Sequence, residues 1–254
     1  MPRSRTLKKI LSLIGVVDRS DRKFYKKQFA NIPDGDFYRP LFSPWHGQGY
    51  SKFAKYLATA QSVSVVSPDR VYVLYTLALQ ALRLGGSWYE CGVYKGGTAA
   101  MLAQLIAQNE ASPRALHLFD SFSGMPETDA VHDLHQKGDF ADTSVEEVTR
   151  HVSSCVKDAS FINFHKGFIP DTFAGREQDE IAFAHVDVDI YRAIHDCCEF
   201  IYPRLQNGGF IVFDDYGFGS CPGARTAVDE FFADKPEQPL VLPTGQALVF
   251  RFRY

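Results

Sequence analysis

The chain changes from a mixed, aromatic-rich pattern to a regular one at Ser67. The stretch SPDRVYVLYTLALQALRLGG is apolar nearly all round, which predicts a buried helix from the N-cap Ser67 to Gly85 and Gly86. Short apolar runs then alternate with longer amphipathic runs. The short runs predict strands at SWYECG, ALHLFD, FINFHKG, IAFAHVDVD and FIVFDD. The longer runs predict helices at GTAAMLAQLIAQ, TSVEEVTRHVSSCV, YRAIHDCCEFIYPRL and ARTAVDEFFAD.

Two helix boundaries have local sequence signals. Thr143 and Glu146 have the spacing of a capping box, which predicts that the helix TSVEEVTRHVSSCV begins at Thr143. The triplet Asn207-Gly208-Gly209 predicts the end of the helix YRAIHDCCEFIYPRL, because glycine commonly terminates helices.

Strands that alternate with helices predict a parallel sheet covered on both faces. The C-terminal strands differ, because PLVL and ALVFRF are separated by PTGQ, which is too short for a crossover helix. They must form an antiparallel hairpin. We therefore expect an α/β fold, the class I methyltransferase (Rossmann-like) seven-stranded sheet with a terminal antiparallel hairpin. A nicotinamide-binding Rossmann domain lacks this reversal.

The chain divides into two predicted regions. Residues 67–254 form the predicted S-adenosylmethionine-dependent methyltransferase domain, and residues 1–66 a helical or irregular N-terminal extension. We expect the extension to act as a lid over an acceptor pocket or to make oligomer contacts. Its apolar run Ile10 to Val17 is too short to span a bilayer, so no transmembrane segment is predicted. A basic amphipathic helix that docks on a neighbouring subunit, or that lies on an anionic surface, fits better. Docking is the favoured alternative, and we expect a homo-oligomer, a dimer.

Composition and charge narrow the function classes. The 254 residues are 45% hydrophobic and 22% charged, as in ordinary globular proteins. Residues 1–27 carry nine basic and two acidic side chains, a charge of +7, which leaves −10 for the rest of a chain of net charge −3. This balance disfavours nucleic acid as a partner. Five cysteines without C-x-x-C spacing predict neither a disulfide framework nor a zinc site, and we expect a reducing, cytoplasmic location.

The first strand leads into the glycine-rich loop YECGVYKGGTA. Gly92 and Gly96 let the backbone approach a ligand closely and turn into a helix. Glu90 precedes them, where a carboxylate would repel the pyrophosphate of a dinucleotide and attract the ammonium group of an amino acid. The loop therefore favours S-adenosylmethionine over NAD, with Glu90, Gly92, Tyr94 and Gly96 as predicted cofactor contacts.

The second strand ends at Asp120, and Ser121 follows it. A carboxylate in this position can accept hydrogen bonds from both hydroxyl groups of a ribose, in either class of cofactor. We expect Asp120 and Ser121 to complete the cofactor site.

The fourth and fifth strands end in carboxylates, at HVDVDIY and FIVFDDYG. Alternation places Asp187 and Asp189 on one side of the fourth strand. The neighbouring strand brings Asp214 and Asp215 beside them, where several carboxylates would repel each other unless neutralised. A hard divalent cation such as Mg²⁺, Mn²⁺ or Ca²⁺ resolves this repulsion. The alternative is that Asp214 and Asp215 cap the turn that follows the strand.

The chain also resembles the macrocin O-methyltransferase family, whose Mg²⁺-dependent members methylate sugar hydroxyls of natural products. The resemblance runs from about Ser67 to the C-terminus. It rests on the motifs ECGVYKGGTA, LFDSFSGMPE, HVDVDIYRA, YPRLQNGGFIVFDDYG and AVDEFF. The family pattern implies metal ligation by Asp187, Asp214 and Asp215. Asp189 and a histidine in the loop after the second strand, His135, are then the candidate proton acceptors.

The resemblance implies a small-molecule glycoside or diol as the acceptor. The aromatic segment before Ser67 and the loop Ser121 to Asp142 are candidates to cover an apolar aglycone. A catechol-type O-methyltransferase, which would use the same three-acid metal site on a phenolic diol, is the alternative function. A non-catalytic scaffold is disfavoured because the cofactor and metal residues are all present.

Overall fold

A computed structural model of the protein describes residues 51–109 and 115–252. The chain forms two compact units, residues 1–54 and 55–254. Of the first unit, the described residues form the first turn of a helix. The predicted basic N-terminal helix and the aromatic segment Ser43 to Tyr50 lie outside the described residues, so a lid or oligomer contact in residues 1–66 stays a prediction.

The described elements alternate along the chain. The α-helices are α1 Ser51–Gln61, α2 Pro68–Ala81, α3 Gly97–Gln108, α4 Val145–Ser154, α5 Tyr191–Ile201 and α6 Pro222–Phe232. The strands are β1 Ser87–Cys91, β2 Leu116–Asp120, β3 Ile162–Lys166, β4 Ile181–Val186, β5 Leu205–Phe213, β6 Leu240–Val241 and β7 Ala247–Phe250. No helix in the described ranges is both long enough and apolar enough to cross a membrane.

The seven strands form one sheet in the order β3-β2-β1-β4-β5-β7-β6. Strands β1 to β5 are parallel, whereas β7 runs antiparallel to both β5 and β6. The order reverses between β1 and β4, which places the switch point of the sheet at the carboxyl ends of these two strands. The seven-stranded fold predicted from the sequence, with its terminal hairpin, is confirmed.

Alternate residues of the central strands pack on opposite faces of the sheet. Tyr89, Ala184 and Ile211 belong to a buried cluster with α5 and α6, which also contains Cys197 and Cys198. On the other face, Trp88 and Phe210 pack edge-on against Phe183. Because both faces are covered, these strands are apolar throughout, as the sequence pattern predicts.

Three predicted helix boundaries are wrong. Helix α2 begins after Ser67 as predicted, but it ends at Ala81, and residues 82–86 form the turn into β1. Helix α4 is capped by Ser144, whose hydroxyl accepts from the backbone N–H of Glu147 at 3.3 Å. The hydroxyl of Thr143 instead donates to the carbonyl of Tyr94 at 2.6 Å.

The third error concerns the triplet Asn207-Gly208-Gly209, which lies inside β5 rather than at the end of α5. Helix α5 ends at Ile201, and a short 3₁₀ turn, Tyr202–Arg204, follows it. The triplet forms an irregularity in the pairing with β4, and its backbone exchanges hydrogen bonds with Arg251. The glycines therefore form part of a β-bulge. From sequence alone, glycines in a bulge look the same as glycines that end a helix.

A partly buried polar network crosses β1, β2, β3 and the loop before β4. His117 Nδ1 lies 2.9 Å from His165 Nε2, and Tyr89 donates to Asp179 at 2.5 Å. Burial, followed by the charges of His165 and Arg176, lowers the pKa of His117 to about 4. The folded protein therefore holds this imidazole in its neutral form.

This network predicts acid lability. Below pH 6.5 the unfolded chain protonates His117, whereas the folded protein resists protonation until about pH 4. Across that window the free energy of unfolding should fall by on the order of 2–3 kcal/mol from this residue. In thermal melts, His117→Phe should lose less Tm on acidification than wild type. The control His195→Phe, at a half-exposed histidine of α5, should fall as wild type does; parallel curves for all three proteins would contradict the assignment.

Candidate functional site

The carboxyl ends of β1, β2, β4 and β5 border a cavity of about 290 Å³, here called the cleft. Its wall contains the glycine-rich loop after β1, the loop Ser121 to Asp142 after β2, and the residues that follow β4 and β5. Arg70, from the first turn of α2, also lines it. The cleft therefore lies at the switch point, where open α/β sheets bind ligands.

Gly92 begins the glycine-rich loop at a point of close backbone contact. Its φ is +85°, and a Cβ at this position would lie 1.8 Å from the carbonyl oxygen of Asp187. Its backbone N–H also donates to Phe119 at 2.9 Å. A side chain at Gly92 would push apart the ends of β1 and β4. Gly96, the N-cap of α3, has φ +83° and ends the loop.

Asp120 binds the glycine-rich loop to the end of β2. One carboxylate oxygen accepts from the backbone N–H groups of Val93 at 2.7 Å and Tyr94 at 2.8 Å, and the other accepts from Phe122 at 2.7 Å. Asp120 and Ser121 line the cleft, and the hydroxyl of Ser121 donates to Gly124 at 2.6 Å. Contact of Asp120 with a ribose stays a prediction.

The loop Ser121 to Asp142 is attached to the rest of the domain at two points. Near its end, Asp142 accepts from the hydroxyl of Tyr94 at 2.8 Å and from Lys95 at 2.6 Å. Near its middle, Asp133 accepts from the backbone N–H of Tyr191 at 2.8 Å, at the start of α5. A Cβ at Gly223 would lie 2.3 Å from the carboxylate of Asp133, so the second attachment requires glycine there.

Glu90 does not face the cleft as the sequence predicted. Its carboxylate is fully buried, and Oε1 lies 3.0 Å from His185 Nδ1. Oε2 has no hydrogen-bond partner among the described residues, so the group retains one acceptor beneath the cleft. Its contact with a cofactor stays a prediction.

His185 lies between two buried carboxylates. Its Nε2 is 3.5 Å from Oδ1 of Asp214, opposite the contact with Glu90. Burial by itself lowers the pKa of His185, but the carboxylates of Asp214 and Glu90 outweigh this effect and raise it to about 10. The imidazole is therefore a cation at neutral pH. Sequence analysis missed this charge.

Asp214 is the most strongly paired of the predicted metal ligands. Its carboxylate pairs with Arg70 and accepts from the side-chain amide of Gln246 at 2.7 Å. Burial alone would raise the pKa of Asp214, but His185 and Arg70 hold it below its usual value. Asp214 is therefore ionised.

The pKa values of Asp187 and Asp215 shift in the opposite direction from that of Asp214. Desolvation, followed by the charge of Asp214, raises the pKa of Asp187 well above its usual value. Desolvation and the charges of Asp189 and Asp214 do the same for Asp215. The three predicted metal ligands thus lie close together, and their mutual repulsion adds to the rise in the pKa values of Asp187 and Asp215.

Strand alternation is not what brings Asp189 to this site. β4 ends at Val186, so the extended pattern stops before Asp187. Asp189 itself has φ +57°, in the left-handed region, and its backbone N–H faces Oδ2 of Asp215 at 3.3 Å. Both residues nevertheless line the cleft.

The two candidate proton acceptors lie next to each other. His135 Nε2 is 3.8 Å from Oδ1 of Asp189, and both residues border the cleft. The thiol of Cys221 donates to Oδ1 of Asp189 at 3.3 Å. Sequence analysis missed Cys221, Arg70 and Gln246. The signal for Arg70 was a basic residue in the first turn of an otherwise apolar helix.

Counter-charges do not balance the carboxylates around the cleft. Around the ends of β1, β4 and β5, the described cations are Arg70 and His185, and the described carboxylates are Glu90, Asp187, Asp189, Asp214 and Asp215. When ionised, these carboxylates outnumber the cations, and the atoms that they offer to a metal ion are oxygens. This donor set suits a hard divalent cation rather than a soft one.

The strand order and the glycine-rich loop define a class I methyltransferase fold, with an acidic cleft at its switch point. The chain belongs to the macrocin-O-methyltransferase (TylF) family, which matches residues 72–244. The predicted family resemblance is confirmed.

Two relatives agree with the family assignment, and one solved structure agrees with the fold. The chain is 32% identical over 179 residues to mycinamicin III 3''-O-methyltransferase of Micromonospora griseorubida, which covers 66% of this chain and 69% of the relative. It is 28% identical over 153 residues to 8-demethyl-8-(2,3-dimethoxy-alpha-L-rhamnosyl)-tetracenomycin-C 4'-O-methyltransferase of Streptomyces olivaceus. That match covers 58% of each chain, so this chain spans less than two thirds of that relative. The structure of the O-methyltransferase NovP superposes with a TM-score of 0.69 at 20% identity, over 80% of this chain and 98% of NovP.

The contact at Gly92 predicts a specific sensitivity. Gly92→Ala should lower the free energy of unfolding by more than about 3 kcal/mol, because it adds a backbone clash to a left-handed conformation. Its Tm should fall by more than about 6 °C. Gly219→Ala is the control, because no atom lies within 4 Å of a Cβ there. Equal melting temperatures for both variants would contradict the close approach of β1 and β4.

Proposed function

We propose that the protein transfers the methyl group of S-adenosylmethionine to a hydroxyl of a sugar-like diol on a small-molecule natural product. The transfer depends on Mg²⁺ or another hard divalent cation. The observation that carries this proposal is that Asp187 and Asp215 line the cleft that the glycine-rich loop also borders, while the buried carboxylate of Asp214 lies within 4.8 Å of that of Asp187.

The cofactor site fits S-adenosylmethionine, which supplies a methyl group on a positively charged sulfur. Gly92 and Gly96 leave room for close backbone contact, and Asp120 and Ser121 border the same part of the cleft. Glu90 does not line the cleft, but its Oε2 has no hydrogen-bond partner among the described residues, and we propose it as an acceptor for the ammonium group of the cofactor. An acidic cleft would repel a pyrophosphate, which disfavours a dinucleotide.

Asp187, Asp214 and Asp215 would hold the divalent cation. When bound, a hard divalent cation supplies Lewis acidity, which makes a weakly acidic sugar hydroxyl easier to ionise. A like-charged carboxylate cluster that raises its own pKa values is relieved by such an ion. Arg70 and His185 keep Asp214 ionised and ready to bind it.

Proton removal from the acceptor falls to Asp189 or His135. Both line the cleft, and desolvation raises the pKa of Asp189 from its usual value, which makes it a stronger base. The sugar hydroxyl needs this help more than a phenol does, because it is far less acidic.

The mouth of the cleft is apolar. Val65, Phe140 and Phe168 line the cleft and are 71%, 37% and 45% exposed. An apolar rim above a polar floor suits an amphiphilic acceptor, with its diol at the carboxylates and its aglycone at the rim. The names of the two relatives also place methyl transfer on natural-product oxygens, in one case of a rhamnosyl compound.

Location and assembly are part of the proposal. All five cysteines are free thiols, which fits a reducing compartment, and we place the protein in the cytoplasm as a dimer. A catechol-type O-methyltransferase remains the second candidate, because a three-carboxylate site also suits a phenolic diol.

Metal removal is the first test. Excess EDTA should abolish methyl transfer, and Mg²⁺ should restore it. Asp187→Asn should weaken Mg²⁺ binding by about 100-fold or more in calorimetry, with S-adenosylmethionine binding retained. Asp187 is a better position for this substitution than Asp214, because loss of the Asp214 carboxylate would also leave Arg70 without its ion-pair partner. Asp229→Asn, on the surface of α6, is the matched control. Full activity in EDTA would return Asp214 and Asp215 to a turn-capping role.

Matched diol pairs test the acceptor. With isotopically labelled cofactor and mass spectrometry, removal of the hydroxyl next to the methylated one should lower kcat/KM by more than about 100-fold. The reason is that the site is built to bind two oxygens together. An unchanged kcat/KM would refute the diol requirement. Methylation of catechols without methylation of glycosides would establish the second candidate.

A further inference from the structure

The loop Ser121 to Asp142 contains two similar pairs of aspartate and histidine. Asp139 Oδ2 lies 3.0 Å from Nδ1 of His135, and Asp129 Oδ2 lies 2.9 Å from Nδ1 of His132. The two pairs face different surroundings. His135 lines the cleft, whereas the ring of His132 stacks on Tyr191 with centroids 4.2 Å apart.

An ionised carboxylate accepts hydrogen bonds and does not donate them. Hydrogen bonding of Nδ1 to Asp139 therefore requires a hydrogen on Nδ1, which leaves the lone pair of a neutral His135 on Nε2. The hydrogen bonds from Gln136 and His135 hold the pKa of Asp139 below its usual value, so its carboxylate is charged.

The surroundings of Nε2 leave this lone pair available. Nε2 lies 3.8 Å from Oδ1 of Asp189 and 3.7 Å from the sulfur of Cys221. The single thiol hydrogen of Cys221 has a nearer acceptor in Asp189, at 3.3 Å. Among the described residues, therefore, no hydrogen-bond donor is engaged with the lone pair of Nε2 at a shorter distance than these contacts.

We propose that Asp139 is a positioning residue that fixes the ring and tautomer of His135. Nε2 then faces the cleft and takes the proton from the hydroxyl group that is methylated. This inference rests on the proposed function and specifies one of its two candidate bases. Asp139 also accepts from the backbone N–H of Gln136 at 3.0 Å, which fixes the turn that carries the histidine. Asp139 acts through His135 and does not contact the acceptor.

Nitrogen-15 NMR of the histidine rings tests the tautomer independently of activity. In wild type, the neutral His135 ring should carry its hydrogen on Nδ1. In Asp139→Ala, the ring should shift towards the Nε2–H form, which free neutral imidazoles of histidine favour. A ring tautomer that is unchanged in Asp139→Ala would overturn the proposal.

Steady-state kinetics test the role in the reaction. Asp139→Asn keeps a carbonyl that can accept from Gln136, so the turn should persist, but it loses the charge. It should lower kcat by about 10–100-fold, part of what a general base contributes, with the KM for S-adenosylmethionine within about twofold. Asp139→Glu should recover part of the loss. Asp129→Asn is the matched control and should leave kcat unchanged.

The outcomes separate the two proposals. A kcat of Asp139→Asn within about twofold of wild type, or an equal loss in Asp129→Asn, would overturn the positioning role while methyl transfer by wild type still supports the proposed function. A wild type that methylates no diol would refute the proposed function. In that case the NMR comparison would still decide whether Asp139 sets the tautomer of His135.

Discussion

The structure depends on how five carboxylates are kept beneath and beside one cleft. Ionised groups taken out of water cost several kcal/mol each unless they are paired. Asp214 is paired on three sides, by Arg70, His185 and Gln246. Asp187 and Asp215 are not paired in this way, and their raised pKa values reflect it. The protein thus uses two internal cations to keep one carboxylate charged, while the neighbouring acids lack counter-charges of their own among the described residues.

This constraint explains why the surrounding elements lie where they do. Helix α2 contributes Arg70 from its first turn, and Gln246 directly precedes β7. The reversed hairpin, which seemed from the sequence to be a topological feature, therefore also delivers a partner to the cleft. Gly92, pressed against the carbonyl of Asp187, holds the glycine-rich loop in fixed register with the same acids.

The sheet and the acidic residues of the cleft were predictable because they follow local rules. Apolar runs alternate with amphipathic runs. Asp120 is the last residue of β2, and Asp187 and Asp214 come directly after the buried strands β4 and β5. The partners were not predictable, because Arg70 is 144 residues from Asp214 in sequence. Glu90 was misplaced for the same reason, since nothing local indicates that His185 holds its carboxylate. The bulge at Gly208 imitates a helix stop, and the neighbouring hydroxyls of Thr143 and Ser144 differ only in what each contacts after folding.

The two attachments of the loop Ser121 to Asp142 bear on how acceptor specificity could be exchanged between relatives. The loop carries His135, Asp139 and part of the apolar rim, and it is joined to the domain mainly by polar contacts at Asp133 and Asp142. We therefore expect that such a loop can be grafted as one piece. Its graft must include the receiving surface, since Asp133 fits only against the glycine at position 223. A chimera with any larger residue there would present the transplanted histidine in the wrong place, however faithfully the loop itself was copied.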